Sequence, residues 1–278
     1  MKKTIQFSLF LTFFLLSNLT INARPVKPEA AAPESSTWSQ IGHRVVGEVA
    51  YSHLTCRAKK RIKRLLGNES IAISSNFADF IKSDSAMNYL DPWHYINVKS
   101  GMNYTDFAAY LQRDTIVDAF TKTNYLISEL KNKKTPFEKK QFYLKLLIHI
   151  IGDIHQPMHV GRKEDLGGNK ISVLWFSEPT NLHAVWDEKL ITFQRLSYTE
   201  YTTSINFTNK QQRQDWQKQP MQEWLFESYQ IADKLYAAIT QPNQKLSYRY
   251  NYDNIETLNQ QLLKGGVRLA GLLNEIFG

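Results

Sequence analysis

The chain has 278 residues, 42% of them hydrophobic, with 34 Lys and Arg against 26 Asp and Glu and a formal net charge of +8. One cysteine, Cys56, excludes an intrachain disulfide, and beyond the N-terminal run no window approaches the roughly 18 uninterrupted apolar residues of a membrane span. The positive balance favours polyanionic partners such as nucleic acid or anionic lipid headgroups.

Lys2 and Lys3 precede an apolar run from Ile5 to Leu19. That is the pattern of a secretory signal peptide, residues 1–23, cut after Ala23 or within Ala30-Ala31-Ala32. It predicts a secreted or periplasmic protein, and its removal lowers the net charge from +8 to +6. Residues 24–37 hold three prolines and read as a flexible leader. Residues 38–278 show no linker or repeat and are long enough for one large domain with a sizeable core.

Apolar residues recur at helical spacing through nearly all of that domain, predicting an all-α fold. Ile41, Val45, Val46, Val49 and Ala50 mark the first helix, running from Trp38. Thr55 caps a second that ends at Gly67, with Cys56 as a partly buried residue on it. A third carries Ala72 to Ile81, with Asp79 near its end. Helices follow over roughly 105–131 and 136–155, the latter with Thr135 as N-cap and Pro136 at its first position. The β-branched and aromatic run after Gly167-Gly168, up to Phe176, predicts a strand or small hairpin. Helices near 181–191, 211–239 and 256–276 complete the domain, with Trp216, Trp224, Leu225 and Tyr229 as core. The runs Lys59–Arg64 and Lys131–Lys134 read as solvated helix ends. His53 reads as a surface residue, and Asn68, Asn103 and Asn206 head glycan acceptor sequences that matter only in a eukaryotic secretory route.

The chemistry concentrates in histidine and aspartate. His149 and Asp153 are four apart, so a helix stacks them on one face, and His183 and Asp187 repeat the spacing. Each pair offers an imidazole and a carboxylate, the mixed donor set that zinc accepts. Pro157 disturbs the helix and can swing His159 out of the face it would otherwise occupy. His155, two residues from Asp153, points to the opposite face and reads as structural or as a support for the ligands. Further candidates are Trp38-Ser-Gln-Ile-Gly-His43, Ala78-Asp79 and Asp91-Pro-Trp-His94-Tyr-Ile-Asn97.

Taken together, Trp38, His43, Asp79, His94, His149, Asp153, His159, His183 and Asp187 resemble the ligand list of the secreted type I zinc nucleases. That is the single-strand-specific S-one and P-one nuclease family, related to zinc-dependent phospholipase C. The resemblance implies a phospholipase C/nuclease fold: a single helical domain with a trinuclear zinc cleft and a minor β-hairpin. It implies three zinc ions. One is held by Asp79, His94 and His149, with Asp153 bridging to a second held by His43 and the backbone amine and carbonyl of Trp38. The third takes His159, His183 and Asp187. Asp153 and Lys82 are the implied catalytic residues, Lys82 neutralising charge on the phosphoryl oxygens as a substrate contact. Tyr95 offers a stacking ring. Asn97 stands where the fungal members have an aspartate that contacts the base, and Glu188 stands where a small polar or amide residue is expected. The fungal and plant members are also disulfide-bonded, which this chain cannot be.

Three functions follow as expectations. The first is a zinc-dependent endonuclease cleaving single-stranded DNA and RNA to 5′-phosphorylated products, with 3′-nucleotides as further substrates, acting as a monomer without membrane insertion. The second is a zinc-dependent phospholipase C. It is disfavoured because this chain has His-x-x-x-Asp where the lipases have His-x-x-x-Glu. The third, a helical binding protein with structural histidines, must explain why five of seven histidines occupy ligand positions.

Overall fold

The computed structural model describes residues 40–113 and 116–278, so the expectations for the signal peptide, the leader and Trp38 lie outside the described residues. In chain order the helices are α1 (Gln40–Ser52), α2 (Cys56–Leu66), α3 (Ile71–Ser74), α4 (Phe77–Phe80), α5 (Tyr104–Leu111), α6 (Ala119–Lys131), α7 (Phe137–Asp153), α8 (Leu182–Ala184), α9 (Leu190–Phe193), α10 (Tyr198–Ile205), α11 (Lys210–Lys218), α12 (Met221–Ala237) and α13 (Tyr248–Phe277). Three-residue-per-turn segments occupy Ile81–Ser83, Ser85–Trp93 and Pro157–Val160, and a wide π-turn spans Val185–Lys189. The predicted all-α domain with a minor hairpin is what forms. No described helix is long and apolar enough to cross a membrane.

Two long helices organise the core. α13 buries Leu258, Leu262, Leu263, Val267, Leu269, Ala270 and Leu273, the stripe expected of a helix with one face inward. α1 crosses it closely: a Cβ added at Gly266 would lie 2.4 Å from the Val49 Cβ, so only glycine allows the approach. α7 differs. From Leu146 to Asp153 every residue is buried, which makes this end of α7 the centre of the domain rather than its wall.

The sheet has three strands in the order β2-β1-β3, where β1 is Ser172–Trp175, β2 is Glu178–Asn181 and β3 is Gln244–Leu246. β1 and β2 form the expected antiparallel hairpin, with Val173 opposite Thr180. β3 was not foreseen. It is three residues long, too short for alternation to register, and it joins β1 in parallel with Leu174 opposite Lys245.

Several predicted helices are broken. The 72–81 helix splits at Ser75-Asn76, where Ser70 caps Ile73 and the Ser75 hydroxyl donates to the Ala72 carbonyl at 2.6 Å, closing the turn early. The 105–131 helix is two helices, because Asp118 and Thr121 form a capping box that starts α6 afresh. Helix 211–239 divides at Pro220, which has no N–H to continue it. Pro136, not Thr135, is the N-cap of α7, and the Thr135 hydroxyl instead donates to Glu129 at 2.9 Å. Cys56 is exposed at the start of α2, not partly buried. Trp224, Leu225 and Tyr229 are core as expected, whereas Trp216 only packs against its edge. His53 is half-buried rather than on the surface, bonded through Nε2 to Asn206 at 2.8 Å.

Candidate metal centre

Local rules place the candidate ligands around the buried end of α7. His43 sits on the first turn of α1, Asp79 in α4, and His94 caps the segment Ser85–Trp93. His149 and Asp153 share the last turns of α7, and His149 Nε2 lies 3.1 Å from Asp153 Oδ2, the (i, i+4) contact their spacing predicts. The chain then turns at Gln156-Pro157 into Pro157–Val160. That turn brings His159 back toward Asp153, with Nδ1 3.2 Å from Oδ1. His183 lies in α8 and Asp187 in the π-turn, yet His183 Nε2 and Asp187 Oδ2 still meet at 3.0 Å. The expected regular helix is absent there; single wide turns inside helices are frequent at functional sites.

Asp153 is the hub. Its Oδ2 lies 2.8 Å from His94 Nδ1 and its Oδ1 lies 3.4 Å from His43 Nε2. Three groups, His43-His149-Asp153, Asp79-His94-His149 and His159-His183-Asp187, each bring their ligand atoms within 4.8 Å of one another. All eight described candidates are therefore drawn together. The partition differs in one detail from the expected one, since His149 belongs to two groups and stacks on His43 with ring centroids 3.9 Å apart.

The imidazoles are aimed by backbone carbonyls. Nδ1 of His149 donates to Ser75 at 2.6 Å, Nδ1 of His159 to His94 at 2.9 Å, and Nδ1 of His183 to Gly167 at 2.7 Å. Each bond leaves Nε2 facing the cluster, the arrangement by which ligand histidines are oriented. Gln156, missed in the sequence, adds to this. Its Nε2 donates to Asp187 Oδ1 at 2.5 Å while its Oε1 accepts from the Met158 amide, also at 2.5 Å. The available signal was an amide residue placed between two histidines, His155 and His159. Gly152 is the other omission: a Cβ there would lie 2.7 Å from His43 Nδ1.

The electrostatics are those of a cation site. Burial works against charge on His159, but the Asp153 and Asp187 carboxylates outweigh it and push its pKa up to about 10. His149 is raised in the same way by Asp153 and Asp79. His94 follows burial and falls to about 4, and His43 is lowered by burial and by His149. Burial alone would raise Asp153 and Asp187, yet the surrounding histidines hold both carboxyls below their usual range. Asp153 Oδ1, His159 Nε2 and Asp187 Oδ2 are buried without a hydrogen bond. Carboxylates that hold protons on neighbouring imidazoles, with buried ligand atoms in ion-pair contact but outside any hydrogen bond, make a centre that favours positive charge. The mixed nitrogen and oxygen donor set fits zinc.

Asp79 is the most exposed of these side chains at 14%, and Lys82, 28% exposed, donates to its Oδ1 at 2.9 Å. Solvent therefore reaches the cluster from the Asp79-Lys82 side. Lys82 is on the short turn Ile81–Ser83 following α4, and its spacing of three residues from Asp79 joins the two side chains. Burial lowers the Lys82 pKa while Asp79 and Asp153 more than offset it, so the ammonium stays charged. Tyr95 and Asn97 flank buried Ile96 on an extended segment whose Ile96 amide donates to the His159 carbonyl at 2.7 Å. Two residues apart in an extended chain, they share its outer face; Tyr95 is 39% exposed and the Asn97 carbonyl accepts from the Tyr110 hydroxyl at 2.7 Å. Glu188 lies partly exposed beside Lys189, 3.4 Å away.

The sequence profile of the family described as S1/P1 Nuclease matches residues 38–278. Endonuclease 2 of Arabidopsis thaliana is 29% identical over 89% of this chain and 93% of its own length. Nuclease P1 of Penicillium citrinum is 27% identical over 87% of this chain and 98% of its own. Among solved structures, the alpha toxin of Clostridium absonum aligns over 87% of this chain and 67% of that one, with a TM-score of 0.46 and 19% identity. With the family's sequence pattern running through the whole described domain, and histidine and aspartate gathered around Asp153, this chain belongs to the S1/P1 nuclease family.

Proposed function

We propose that the protein is a secreted or periplasmic zinc-dependent endonuclease, residues 38–278 forming its catalytic domain. It hydrolyses single-stranded DNA and RNA to 5′-phosphorylated products and also acts on 3′-nucleotides. The observation that carries the reading is the convergence of three His/Asp groups on Asp153, open to solvent beside Lys82. Three zinc ions are assigned to these groups: Asp79, His94 and His149 hold one, His43 and Trp38 another, and His159, His183 and Asp187 the third, with Asp153 shared between the first two. Bound zinc supplies Lewis acidity toward phosphoryl oxygens and lowers the pKa of water toward neutrality.

The protein's own residues do the rest. Asp153, held between four imidazoles, keeps the ligands in register and its carboxyl ionised. The Lys82 ammonium, at the exposed edge, offsets negative charge that develops on the phosphoryl group. The Tyr95 ring gives an unstacked base a surface, which suits single strands rather than duplexes. Asn97, on the same face, presents an amide that can donate or accept and so contacts bases with little discrimination.

The test is hydrolysis of single-stranded DNA, duplex DNA, a 3′-nucleotide and phosphatidylcholine by metal-loaded and chelated protein, with end-group analysis of the products. Hydrolysis of phosphatidylcholine alone would replace this reading with a phospholipase. Zinc titration of chains beginning at Arg24 and at Trp38 isolates the contribution of the Trp38 amine, because an amide nitrogen has no free lone pair to offer.

A further inference from the structure

α2 carries Arg57, Lys59, Lys60, Arg61, Lys63 and Arg64 and no acid. Arg61 is engaged, its guanidinium donating to the Phe277 and Gly278 carbonyls at 3.3 and 3.2 Å. Arg57, Lys60, Lys63 and Arg64 enter no ion pair among the described residues. A run of this kind on a bare helix face is an ordinary solvated surface. Here the helix also borders a groove.

The groove, about 470 Å³, lies between α2, the end of α1 and the loop into α3. Leu54, Ile62 and Leu66 give it an apolar floor, and Lys59, Lys60 and Lys63 supply the charge. Tyr51 also lines it, 45% exposed, with the Lys59 ammonium 4.4 Å from its ring centroid. The acid in the lining, Glu69, is neutralised by Lys145 at 2.5 Å. Lys60 and Lys63 without an ion pair, an exposed ring and a neutralised acid in one concavity are the features by which proteins hold single-stranded nucleic acid: phosphates on the lysines, a base on the ring. A lipid surface is a poorer match. Ala58, Ile62, Leu65 and Leu66 are already buried in the fold, so α2 has no free apolar face to insert. Tyr51 follows His43 by eight residues on α1, about 12 Å along the helix axis.

We propose that this groove is a second, non-catalytic binding site for single-stranded nucleic acid, separate from the His/Asp cluster. It retains a strand through its phosphates and one stacked base. The proposal rests on the reading of the protein as a nuclease of single strands, but it is tested by binding alone.

The experiment measures fluorescence anisotropy of a fluorescein-labelled oligothymidylate against the full mature chain carrying Asp153→Asn, across a range of salt concentrations. Adding Lys60→Ala and Lys63→Ala should weaken binding about tenfold and reduce the slope of log affinity against log salt by roughly 1.4, two contacts' worth for single strands. Tyr51→Ala should weaken binding on the order of tenfold with the slope unchanged, since stacking releases no counterions. Lys133→Ala with Lys134→Ala, the same charge change on the exposed turn before α7, should match the parent chain. The proposal is overturned if the groove variant binds like the parent or no worse than this control. It is overturned equally if the groove lysines govern only co-sedimentation with phosphatidylserine vesicles. Absence of nuclease activity in the zinc-loaded chain that retains Asp153, with the binding pattern intact, would refute the proposed function and not the groove.

Discussion

His155 Nε2 accepts a hydrogen bond from the buried guanidinium of Arg268 at 3.0 Å, on the side of the α7 terminus that faces away from the metal ligands. Its Nδ1 donates to the Ile151 carbonyl at 2.7 Å, so the ring is neutral with both nitrogens used. Arg268 in turn donates to Glu227 at 2.9 Å and Gln219 at 2.7 Å, and Gln261 donates to the His155 carbonyl at 2.9 Å. The turn that positions Asp153 and His159 is thus clamped by α12 and α13.

That clamp makes stability sensitive to acid. Burial, then the Arg268 charge, depresses His155 from its ordinary 6.5 to about 3. A depressed pKa contributes stability that is whole above 6.5 and is lost as pH falls toward 3, at up to about 1.4 kcal/mol per pH unit for one proton. Denaturant unfolding between these limits should show a shallower acid loss in His155→Gln than in the parent. Equal slopes would mean that His155 takes no proton on unfolding.

Asp153→Asn is expected to be the most damaging single change at the cluster, because four imidazoles lie within 3.4 Å of this carboxylate. The amide has half the acceptor capacity and no charge. Metal content by elemental analysis should fall along with activity, whereas His155→Ala should retain metal and lose less activity. If both variants keep full metal and lose activity equally, the division between ligand and support is wrong.

Gly152→Ala tests the close contact beneath His43. The added methyl would sit 2.7 Å from His43 Nδ1, so the ring must move. Since Gly152 and His43 are both fully enclosed, overpacking there should cost about 1–3 kcal/mol. The zinc assigned to His43 should also be lost more readily than the other two. Unchanged metal affinity at all sites would show that the ring can shift without leaving its ligand position.

Lys82→Ala should lower kcat on single-stranded DNA by roughly 10²–10³, the scale for removing one preorganised donor at a transition state, with zinc content intact. A rise confined to KM would mean that Lys82 binds ground and transition states alike.

Chelation should abolish activity and reverse the alkaline behaviour of stability. In the metal-free chain burial opposes charge on His159, but Asp153 and Asp187 hold its proton up to about 10. A raised pKa contributes stability that is whole below 6.5 and is lost as pH rises through 10. Chelated protein should therefore melt at lower temperature as pH goes from 7 to 10, while zinc-loaded protein, its proton displaced by metal, should not. Parallel melting curves in the two forms would contradict this account.

The sequence by itself determined what short-range geometry controls. The apolar periodicity of α1, α7 and α13 reads as helix because burial of one face repeats every three to four residues. His149 with Asp153, and His183 with Asp187, read as ligand pairs because four residues return a helix to the same face, and even a π-turn did not separate the second pair. Element ends were harder to read. Ser75, Asp118 and Pro220 break helices through hydrogen bonds and missing donors that compete locally with an unbroken apolar pattern. What only the tertiary structure decided depends on contacts between residues far apart in the chain. β3 pairs with β1 across some seventy residues, the Ser75 carbonyl aims His149, and Gln156 reaches Asp187. Arg268 clamps His155 from more than a hundred residues away. No period or spacing carries such information, because those distances are set by the packing of whole helices rather than by the pitch of one.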